Sequence, residues 1–404
     1  MKILFIHQSF PGQFGHLATR LARNKKNKVV ALTMYKLAAT EGVEVRQYSL
    51  IRSPAKDSHP LLRDQESSVL RAEACAAAAH ALKHEGFAPD VVVAHPGWGE
   101  ALFIKDVFPQ ARVVLYCEYY YAKEGQDVGF DPEVPALSFE QQCLLRMKNA
   151  TNLLSMEIAD AAISPTQWQK STYPAWAQEK ITVIHDGIDF KRLKHDPKAK
   201  ITLAKNDRHG QITLSADDEV LTYVSRNLEP IRGFHALMRC LPRVLKERPK
   251  AHVLIAGGDE RGYGHPTPDG ATWREHMLKE VGGDLDMTRV HFLGRVPYAA
   301  YLHMLHITRV HAYWTAPFVL SWSFLEAASA GAPVIGSDTP PVREYSEKLG
   351  VPTFGFFDRT AFEDAMIERL ARPVAKRRPV HLPDIDLENC LREQKRLVEN
   401  MERK

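Results

Sequence analysis

Short, wholly apolar segments alternate with longer amphipathic segments along the first half of the chain. The apolar segments are KILFIHQ, KVVALTM, VEVRQYSL, PDVVVAH, ARVVLYCEYY, DAAISPT and KITVIHDG, and helical periodicity is found over residues 14–25, 70–84 and 101–108. Apolar strands that alternate with helices are typical of a parallel sheet covered on both faces.

The same alternation starts again in the second half. EVLTYVSR, AHVLIAGG, RVHFLGRV, residues 308–313 and APVIGSD predict strands, and the intervening helices are expected over 234–248, 273–280, 298–305 and 323–330. We therefore predict an α/β protein made of two Rossmann-like, doubly wound parallel-sheet domains that face a cleft.

The domain boundaries follow from a change in composition. Residues 196–218 are polar and lack a helical period, which predicts a linker with a small hairpin between a domain over 1–195 and one over 219–375. A basic, proline-rich stretch then leads into the segment 376–404. Its amphipathic part predicts a C-terminal helix that crosses back to the first domain.

Bulk composition favours a cytoplasmic protein of ordinary solubility. The 404 residues are 45% hydrophobic and 25% charged, the net charge is only +4, and no apolar run approaches a membrane span. The N-terminal MKILFIHQSF lacks the features of a signal peptide. The five cysteines are scattered without a CxxC pair, which fits reduced thiols and argues against structural zinc.

Polar residues and glycines follow many of the predicted strands. Ligands of open α/β sheets bind outside the carboxyl ends of the strands, so these residues are candidates for a site. They are His7-Gln8, His95, Cys117-Glu118, Ser225-Arg226, Gly257-Gly258, Gly294-Arg295 and Ser337-Asp338.

The second half offers two candidate phosphate-binding segments. Ser321, Trp322 and Ser323 precede a small-residue helix, where unpaired N–H groups and the helix dipole favour an anion. An ordinary serine cap, and a capping box that includes Glu326, are the alternatives. Arg226 and Arg232 occupy a strand–helix junction and suit phosphate oxygens, although arginines are more often solvated surface groups.

The first half offers weaker candidates. The glycines of PGQF (11–14) and PGWG (96–99) permit close approach of a ligand, but many tight turns require them too. Glu118 follows an apolar strand and could act in acid–base chemistry or bind a sugar hydroxyl. The tyrosines after it could stack on carbohydrate or be buried, and a structural role is the simpler interpretation of His95.

Together these segments resemble the family 4 glycosyltransferases, which are retaining enzymes of the GT-B architecture. The resemblance is carried by ILFIHQSFPGQFGHLATRLA, by VSRNLEPIRGF, which is similar to the family's G-R-x-x-x-x-K-G segment, by VHFLGRVP, and by FVLSWSFLEAASAGAPVIGSD, which is similar to its E-x7-E motif and the following strand. It runs through most of the chain.

The resemblance implies roles for individual residues. Arg226 and Arg232 would neutralise the leaving diphosphate, and Glu118 would orient the acceptor or shield positive charge. The donor contacts would be made by Gly12, Ser225, Gly294, Arg295, Phe318, Ser321, Trp322, Ser323 and Glu326, with Glu326 on the ribose. Gln13, His95 and Tyr119 would lie on the acceptor side.

Three positions depart from the family pattern. Phe318 stands where the first motif glutamate is expected, so the usual contact to a donor-sugar hydroxyl is missing. Arg232 replaces a lysine, with one extra residue before it. The strand end that often carries a histidine reads Tyr116-Cys117-Glu118, which leaves open whether Glu118 or His95 is the important residue of the first domain.

The expected activity is retaining transfer from a nucleoside-diphosphate sugar, UDP or GDP, to a glycan, a lipid-linked acceptor or a small molecule. No metal or other cofactor is expected, since the two D-x-D strings, Asp284–Asp286 and Asp384–Asp386, do not end a strand at the cleft. The alternatives are an idle sugar-nucleotide-binding subunit and a GT-B epimerase. An oxidoreductase is not favoured, because it would need a G-x-G-x-x-G after the first strand and the sequence lacks one there.

Two further expectations concern nucleic acid and the membrane as partners. The composition gives no reason to expect nucleic acid as a partner. Basic stretches at Lys25, Lys26 and Lys28 and at residues 376–378 leave a peripheral contact with the inner face of the membrane open, although a charge run is usually a solvated face.

Overall fold

The computed structural model describes residues 1–35, 39–204, 210–373 and 377–401, and these form two compact units. Unit 1 contains Met1–Gly129, Pro135–Gly187 and the C-terminal segment from Pro383. Unit 2 contains Phe130–Val134 and Ile188–Leu382. The chain visits unit 2 briefly at Phe130–Val134 and enters its main part at Ile188, whereas the domain boundary was expected at residue 195.

The described part of unit 1 forms a seven-stranded parallel sheet. The strands are β1 (Lys2–Ile6), β2 (Lys28–Thr33), β3 (Glu44–Gln47), β4 (Val91–Ala94), β5 (Arg112–Tyr116), β6 (Ala161–Ser164) and β7 (Ile181–Val183), in the order β3-β2-β1-β4-β5-β6-β7. The central strands are almost wholly buried because helices cover both faces.

Before the C-terminal segment, the described helices of unit 1 are α1 (Gly15–Ala22), α2 (Arg63–His84), α3 (Ile104–Val107), α4 (Phe139–Lys148), α5 (Ala150–Ile158), α6 (Gln167–Ser171) and α7 (Ala175–Gln178). The apolar pattern did not predict α4 or α5. No residue of α4 is buried, so its sequence carries no core-facing stripe, and a capping box between Ser138 and Gln141 starts the helix instead.

Unit 2 contains a six-stranded parallel sheet in its described residues. Its strands are β10 (Val220–Asn227), β11 (His252–Gly258), β12 (Val290–Gly294), β13 (Val310–Tyr313), β14 (Val334–Ser337) and β15 (Thr353–Phe354), in the order β12-β11-β10-β13-β14-β15. Its helices are α8 (Phe234–Glu247), α9 (Trp273–Val281), α10 (Tyr298–Ile307), α11 (Trp322–Ser329), α12 (Pro340–Leu349) and α13 (Arg359–Ala371).

The segment expected to link two domains contains an antiparallel hairpin of unit 2. Its strands are β8 (Ile201–Ala204) and β9 (Gln211–Leu214). Leu214 and the preceding Ala199 are buried against Val220 and Met304. These two apolar contacts explain why a stretch of mostly polar sequence is part of the core of unit 2.

The C-terminal helix α14 (Leu387–Met401) belongs to unit 1. It packs against α1, and its buried Cys390, Leu391 and Val398 join the core that contains Leu21. The Gln394 amide also donates to the carbonyl oxygen of His185 over 3.1 Å. No helix in the described part of the chain is long and apolar enough to cross a membrane.

Both sheets have a point at which the strand order reverses. It lies between β1 and β4 in unit 1 and between β10 and β13 in unit 2. Ligands of open α/β sheets bind outside the carboxyl ends of the strands at such points. The residues that follow these four strands are therefore the first to consider for a site.

Candidate active site

Two histidines lie side by side at the switch point of unit 1. His7 follows β1 and His95 follows β4, and their ring centroids are 6.2 Å apart. Each Nδ1 accepts a backbone N–H, from Ser9 over 3.0 Å and from Gly97 over 3.1 Å respectively. In the neutral imidazoles the proton therefore sits on Nε2, and each ring donates from that atom.

Both Nε2 atoms are connected to the carboxylate of Glu118, His95 directly and His7 through Gln13. His95 donates to Oε2 of Glu118 over 3.3 Å, and His7 donates to Oε1 of Gln13 over 2.8 Å. The Gln13 amide in turn hydrogen-bonds to Glu118. Four side chains from three strand ends and the first turn after β1 thus form one connected polar network.

The network sets the charge state of its members. Burial, followed by the neighbouring His95, lowers the pKa of His7 to about 4, so this imidazole is neutral near pH 7. Burial is also the largest effect on Glu118 and opposes its ionisation. The hydrogen bond and electrostatic attraction of the His95 ring, with His7 and Gln13, outweigh it and lower the pKa of Glu118 below its ordinary value. Glu118 is therefore an ionised hydrogen-bond acceptor.

An indole closes one side of this network. The Trp98 ring stacks on His95 at a centroid distance of 3.9 Å and meets the edge of His7 at 4.9 Å. His7 was among the polar strand-end candidates but was given no specific role, and Trp98 was not a candidate. The available signal was the position of His7 directly after an apolar strand, the same signal that selected His95.

Two other predicted residues of unit 1 are placed differently. Gly12 has a φ of 46°, and a Cβ there would lie 2.4 Å from the His7 ring, so this glycine allows the histidine to pack against the turn. Tyr119 is buried, and its hydroxyl donates to Asp127 over 2.9 Å. The structure does not bring Tyr119 into the histidine–glutamate network.

Arg232 is anchored at the switch point of unit 2. Its Nη1 donates to Oγ1 of Thr315 over 2.8 Å and to the carbonyl oxygen of Val319 over 2.7 Å. The next residue, Gly233, has a φ of 70°, and a Cβ on it would lie only 2.1 Å from Cβ of Trp314. Gly233 thus allows the turn that contains Arg232 to pack closely against Trp314, which follows β13.

Arg226 and Ser225 lie at the end of β10. Ser225 donates its hydroxyl to the carbonyl oxygen of Asn227 over 2.8 Å, which makes it part of the local backbone turn. Arg226 is exposed, and within the described ranges it has neither an ion pair nor a hydrogen bond. Its guanidinium group is consequently available to an anionic ligand.

The SWS segment begins α11, as the pattern predicted. Ser321 is the cap: its Oγ accepts the N–H of Ser323 over 3.3 Å and lies 2.7 Å from the Ser323 hydroxyl. The Phe324 N–H donates to the Ser321 carbonyl oxygen over 3.1 Å. The cap therefore satisfies part of the helix start, while the Trp322 side chain remains 46% exposed.

Glu326 is not part of a capping box. Its Oε1 accepts the hydroxyl of Tyr298 over 2.8 Å, and Arg192 lies over the Tyr298 ring at 4.2 Å. Burial raises the pKa of Glu326, and the hydrogen bonds from Tyr298 and Tyr301 act in the opposite direction. Sequence reasoning identified Glu326 but gave no signal for Tyr298 or Arg192, which are distant along the chain.

Phe318 faces aromatic and cationic groups. It is 4% exposed, its ring centroid lies 5.2 Å from that of Tyr263, and the Arg232 guanidinium is 5.6 Å from it. Glu229, a carboxylate that was not predicted, is buried near Arg226 and Arg232. Its Oε2 accepts the N–H of Gly264 over 2.8 Å, and burial raises its pKa.

The turn after β12 carries the remaining predicted donor contacts. Gly294 has a φ of 62°, which a glycine adopts without strain. Arg295 donates to Oδ1 of Asn227 over 3.1 Å and to Oε2 of Glu260 over 2.7 Å. Arg295 thus connects the ends of β10, β11 and β12.

One acid of each D-x-D string is already paired with protein groups. Asp286 of the first D-x-D string accepts from Arg289 over 2.7 Å, and Asp386 of the second caps the first backbone N–H groups of α14. In the described chain, Asp131, Glu133 and His235 of unit 2 come close enough together to ligate an ion. Arg239 donates to both oxygens of Glu133 and already neutralises that carboxylate.

Comparison with known proteins identifies the family. The profile of the Glycosyl transferase family 4 group matches residues 25–193, and that of Glycosyl transferases group 1 matches residues 218–372. No curated protein sequence matches the chain significantly.

Solved structures share the fold at low sequence identity. A sucrose-phosphate synthase from Thermosynechococcus elongatus has a TM-score of 0.63 at 16% identity, covering 100% of this chain and 96% of its own. The UDP-forming α,α-trehalose-phosphate synthase from Burkholderia vietnamiensis has a TM-score of 0.64 at 12% identity, covering 100% of each chain. The catalytic domain of starch synthase IV from Arabidopsis thaliana, bound to ADP and acarbose, has a TM-score of 0.58 at 14% identity, covering 100% and 99%.

The two profiles together span most of both units, and the two parallel sheets agree with the architecture of these neighbours. The fold class and the enzyme class predicted from the sequence are therefore confirmed. The chain is a glycosyltransferase with the GT-B fold, built from a segment of the Glycosyl transferase family 4 group and a segment of the Glycosyl transferases group 1.

Proposed function

We propose that this glycosyltransferase transfers a sugar from a nucleoside-diphosphate sugar with retention of anomeric configuration, and that unit 2 binds the donor. The observation that carries the proposal is the anchoring of Arg232 on Thr315 and Val319 at the switch point of unit 2. This fixes a guanidinium group close to the start of α11, and Arg226 adds a second, unpaired one. Fixed arginines stabilise charge that develops on a leaving diphosphate without reorganisation.

The rest of the donor would be held by the neighbouring groups of unit 2. Glu326 accepts hydrogen bonds from Tyr298 and Tyr301, and its carboxylate has further acceptor positions that a ribose hydroxyl can use. The Phe318 ring would contact the sugar by packing rather than through a carboxylate. UDP or GDP is the proposed nucleotide. The presence of a UDP-forming enzyme among the structural neighbours supports UDP, and another neighbour binds ADP.

The acceptor is a glycan, a lipid-linked sugar or a small molecule, and we assign its hydroxyl to the polar network of unit 1. Glu118 is ionised and held by His95 and Gln13, so it can accept a hydrogen bond from that hydroxyl. In a retaining reaction the departing phosphate oxygen takes the proton of the attacking hydroxyl. Glu118 would orient the acceptor or stabilise positive charge on the sugar.

The arginines and the start of α11 would support catalysis without a metal ion.

We also propose that the enzyme works in the cytoplasm on polysaccharide synthesis, with contact to the inner membrane face through Lys25, Lys26 and Lys28. The remaining basic stretch includes Lys376, which lies outside the described residues. Sedimentation with anionic vesicles tests this contact, and activity in EDTA tests the metal independence.

A thermal-shift titration with UDP, GDP, ADP, CMP and dTDP tests the donor site, because a ligand that binds only the folded state raises its stability. One diphosphate should stabilise the wild type, and both Arg226→Ala and Arg232→Ala should remove the effect. Arg396→Ala, an exposed arginine of α14 in unit 1, is the matched control. A stabilisation that persists in both variants would refute the assignment of the arginines.

The stereochemistry is tested separately by NMR of the product's anomeric proton in the first turnovers with the matching donor sugar. An inverted product would refute the retaining mechanism, while the donor-site assignment would still stand on the titration.

A further inference from the structure

Three nitrogen-bearing side chains from separate parts of the chain meet in unit 2, away from the candidate donor site. His195 precedes the β8–β9 hairpin, His306 lies near the end of α10, and Arg377 follows α13. The rings of His195 and His306 meet edge to face at a centroid distance of 5.3 Å. Arg377 donates from Nη2 to the carbonyl oxygens of His306 and Thr308 over 2.7 and 2.9 Å.

Most of the polar atoms in this cluster lack a hydrogen-bond partner among the described residues. They are Nε and Nη1 of Arg377, both ring nitrogens of His306 and Nδ1 of His195. His306 is only 5% exposed, so its ring nitrogens are shielded from solvent. Buried donors are normally paired, and a group of unpaired ones that converge from three segments indicates a missing acceptor.

We propose that Arg377, His306 and His195 form a binding site for a small oxyanion of the phosphate class. Arginine offers adjacent N–H groups that match a tetrahedral oxyanion, and each neutral imidazole can supply one further N–H donor. The exposed His303, whose ring centroid is 6.4 Å from that of His306, borders the cluster on the solvent side.

The charge balance of the cluster favours an anion over a cation. Asp196 is the carboxylate that acts on both imidazoles, and its Oδ1 already accepts the backbone N–H of Lys198 over 2.9 Å. Burial lowers the pKa of Arg377 to about 10 and, with His195 and Arg377 nearby, lowers the pKa of His306 to about 4. A bound anion would offset the unfavourable burial of these groups.

The site is distinct from the proposed donor site because the two lie at opposite ends of β13. Arg377 contacts Thr308, which precedes this strand, whereas Arg232 contacts Thr315, which follows it. The proposal therefore does not depend on the donor-site assignment.

The test is a titration of the full-length protein with inorganic phosphate at constant ionic strength, followed by the imidazole ¹⁵N resonances in NMR. His306→Gln assigns the His306 signals. We expect saturable shifts of the His195 and His306 signals toward the protonated form, with affinity about tenfold weaker in Arg377→Gln because a charged hydrogen-bond partner is lost.

Two controls separate this site from others. Arg378→Gln removes the same charge from the exposed neighbouring residue and should leave the affinity unchanged. Arg232→Gln removes the candidate donor-site arginine and should also leave the His306 response intact. Should Arg377→Gln fail to fold by circular dichroism, His195→Gln takes its place.

The proposal is overturned when the wild type shows no saturable response, or when Arg377→Gln or its substitute binds phosphate as tightly as the wild type. Glucose 6-phosphate in a parallel titration distinguishes the source of the phosphoryl group. Tighter binding than that of inorganic phosphate assigns the site to phosphorylated sugars, and weaker binding assigns it to the free ion.

Discussion

Nε2 of His95 lies 3.3 Å from Oε2 of Glu118, and the backbone N–H of Gly97 fixes which nitrogen of this ring carries the proton. The pair joins the ends of β4 and β5, two neighbouring strands of unit 1. The sequence left open which of the two residues matters. The geometry indicates that they act together, with His95 as the group that keeps Glu118 ionised.

Replacement of Glu118 should reduce turnover strongly. We expect Glu118→Gln to lower kcat about 100-fold, the loss typical of removing one group that stabilises charge in the transition state. Glu124→Gln removes an exposed carboxylate 84% open to solvent and should leave kcat unchanged. Initial rates with the donor sugar identified by the nucleotide screen provide the measurement. Equal rates in Glu118→Gln and wild type would remove Glu118 from the mechanism.

The pH dependence of activity should reveal the partnership with His95. Because the pKa of Glu118 is lowered, the acid limb of kcat/KM should lie below the ordinary glutamate range. In His95→Leu the hydrogen bond and electrostatic attraction of the imidazole are lost while burial persists, so the limb should move to higher pH. A profile that is identical in the two proteins would contradict the assignment.

Stability should fall as the solution becomes acidic. Burial lowers the pKa of His7, His185, His291, His306 and His311 to about 4 in the folded protein, against about 6.5 in the unfolded chain. Between these values the unfolded state binds more protons, so the free energy of unfolding decreases as pH falls from about 6.5 to 4.

Urea unfolding at a series of pH values measures this effect. His311, which is fully buried with Nδ1 2.8 Å from the Thr222 hydroxyl, provides the test variant. His311→Asn should reduce the proton uptake on unfolding by about one proton. Proton uptake that is unchanged in the variant would show that His311 does not contribute.

Substitution of Gly233 should destabilise unit 2 through a steric clash as well as through backbone strain. Gly350 has a similar φ of 65° with open space around it, so Gly350→Ala reports the backbone cost alone, about 1 kcal/mol. In Gly233→Ala the new methyl would also meet Trp314, and we expect a loss of about 3 kcal/mol. Denaturant unfolding of both variants gives the difference. Equal losses would mean that Trp314 moves aside freely.

Recognition of the ribose by Glu326 is testable with deoxynucleotides. The wild type should bind the preferred nucleoside diphosphate about tenfold more tightly than its 2′-deoxy form, because a carboxylate hydrogen bond is lost. Glu326→Ala should bind both forms equally. Glu347→Ala, which removes an exposed carboxylate from α12, should keep the wild-type preference. A preference retained in Glu326→Ala would place the ribose elsewhere.

The periodicity of the sequence determined the two parallel sheets and most of their strands. Core strands such as β4 and β11 are continuous apolar runs, because a strand that is buried on both faces cannot alternate polar and apolar residues. The carboxyl ends of β4, β5 and β10 then located His95, Glu118 and Arg226 as candidates. Helices without a buried stripe, such as α4, had no such signal and were missed.

Only the tertiary structure decided which distant residues act as a group. The pairing of β1 with β4 brings His7 next to His95, and the arrangement of α10 and α11 places Tyr298 on Glu326. The local sequence around each residue carries no information about the other, since long-range contacts depend on how the elements pack. The sequence alone thus determined the elements and strand ends. The packing decided the tautomers, the charge states and the unpaired cluster around Arg377.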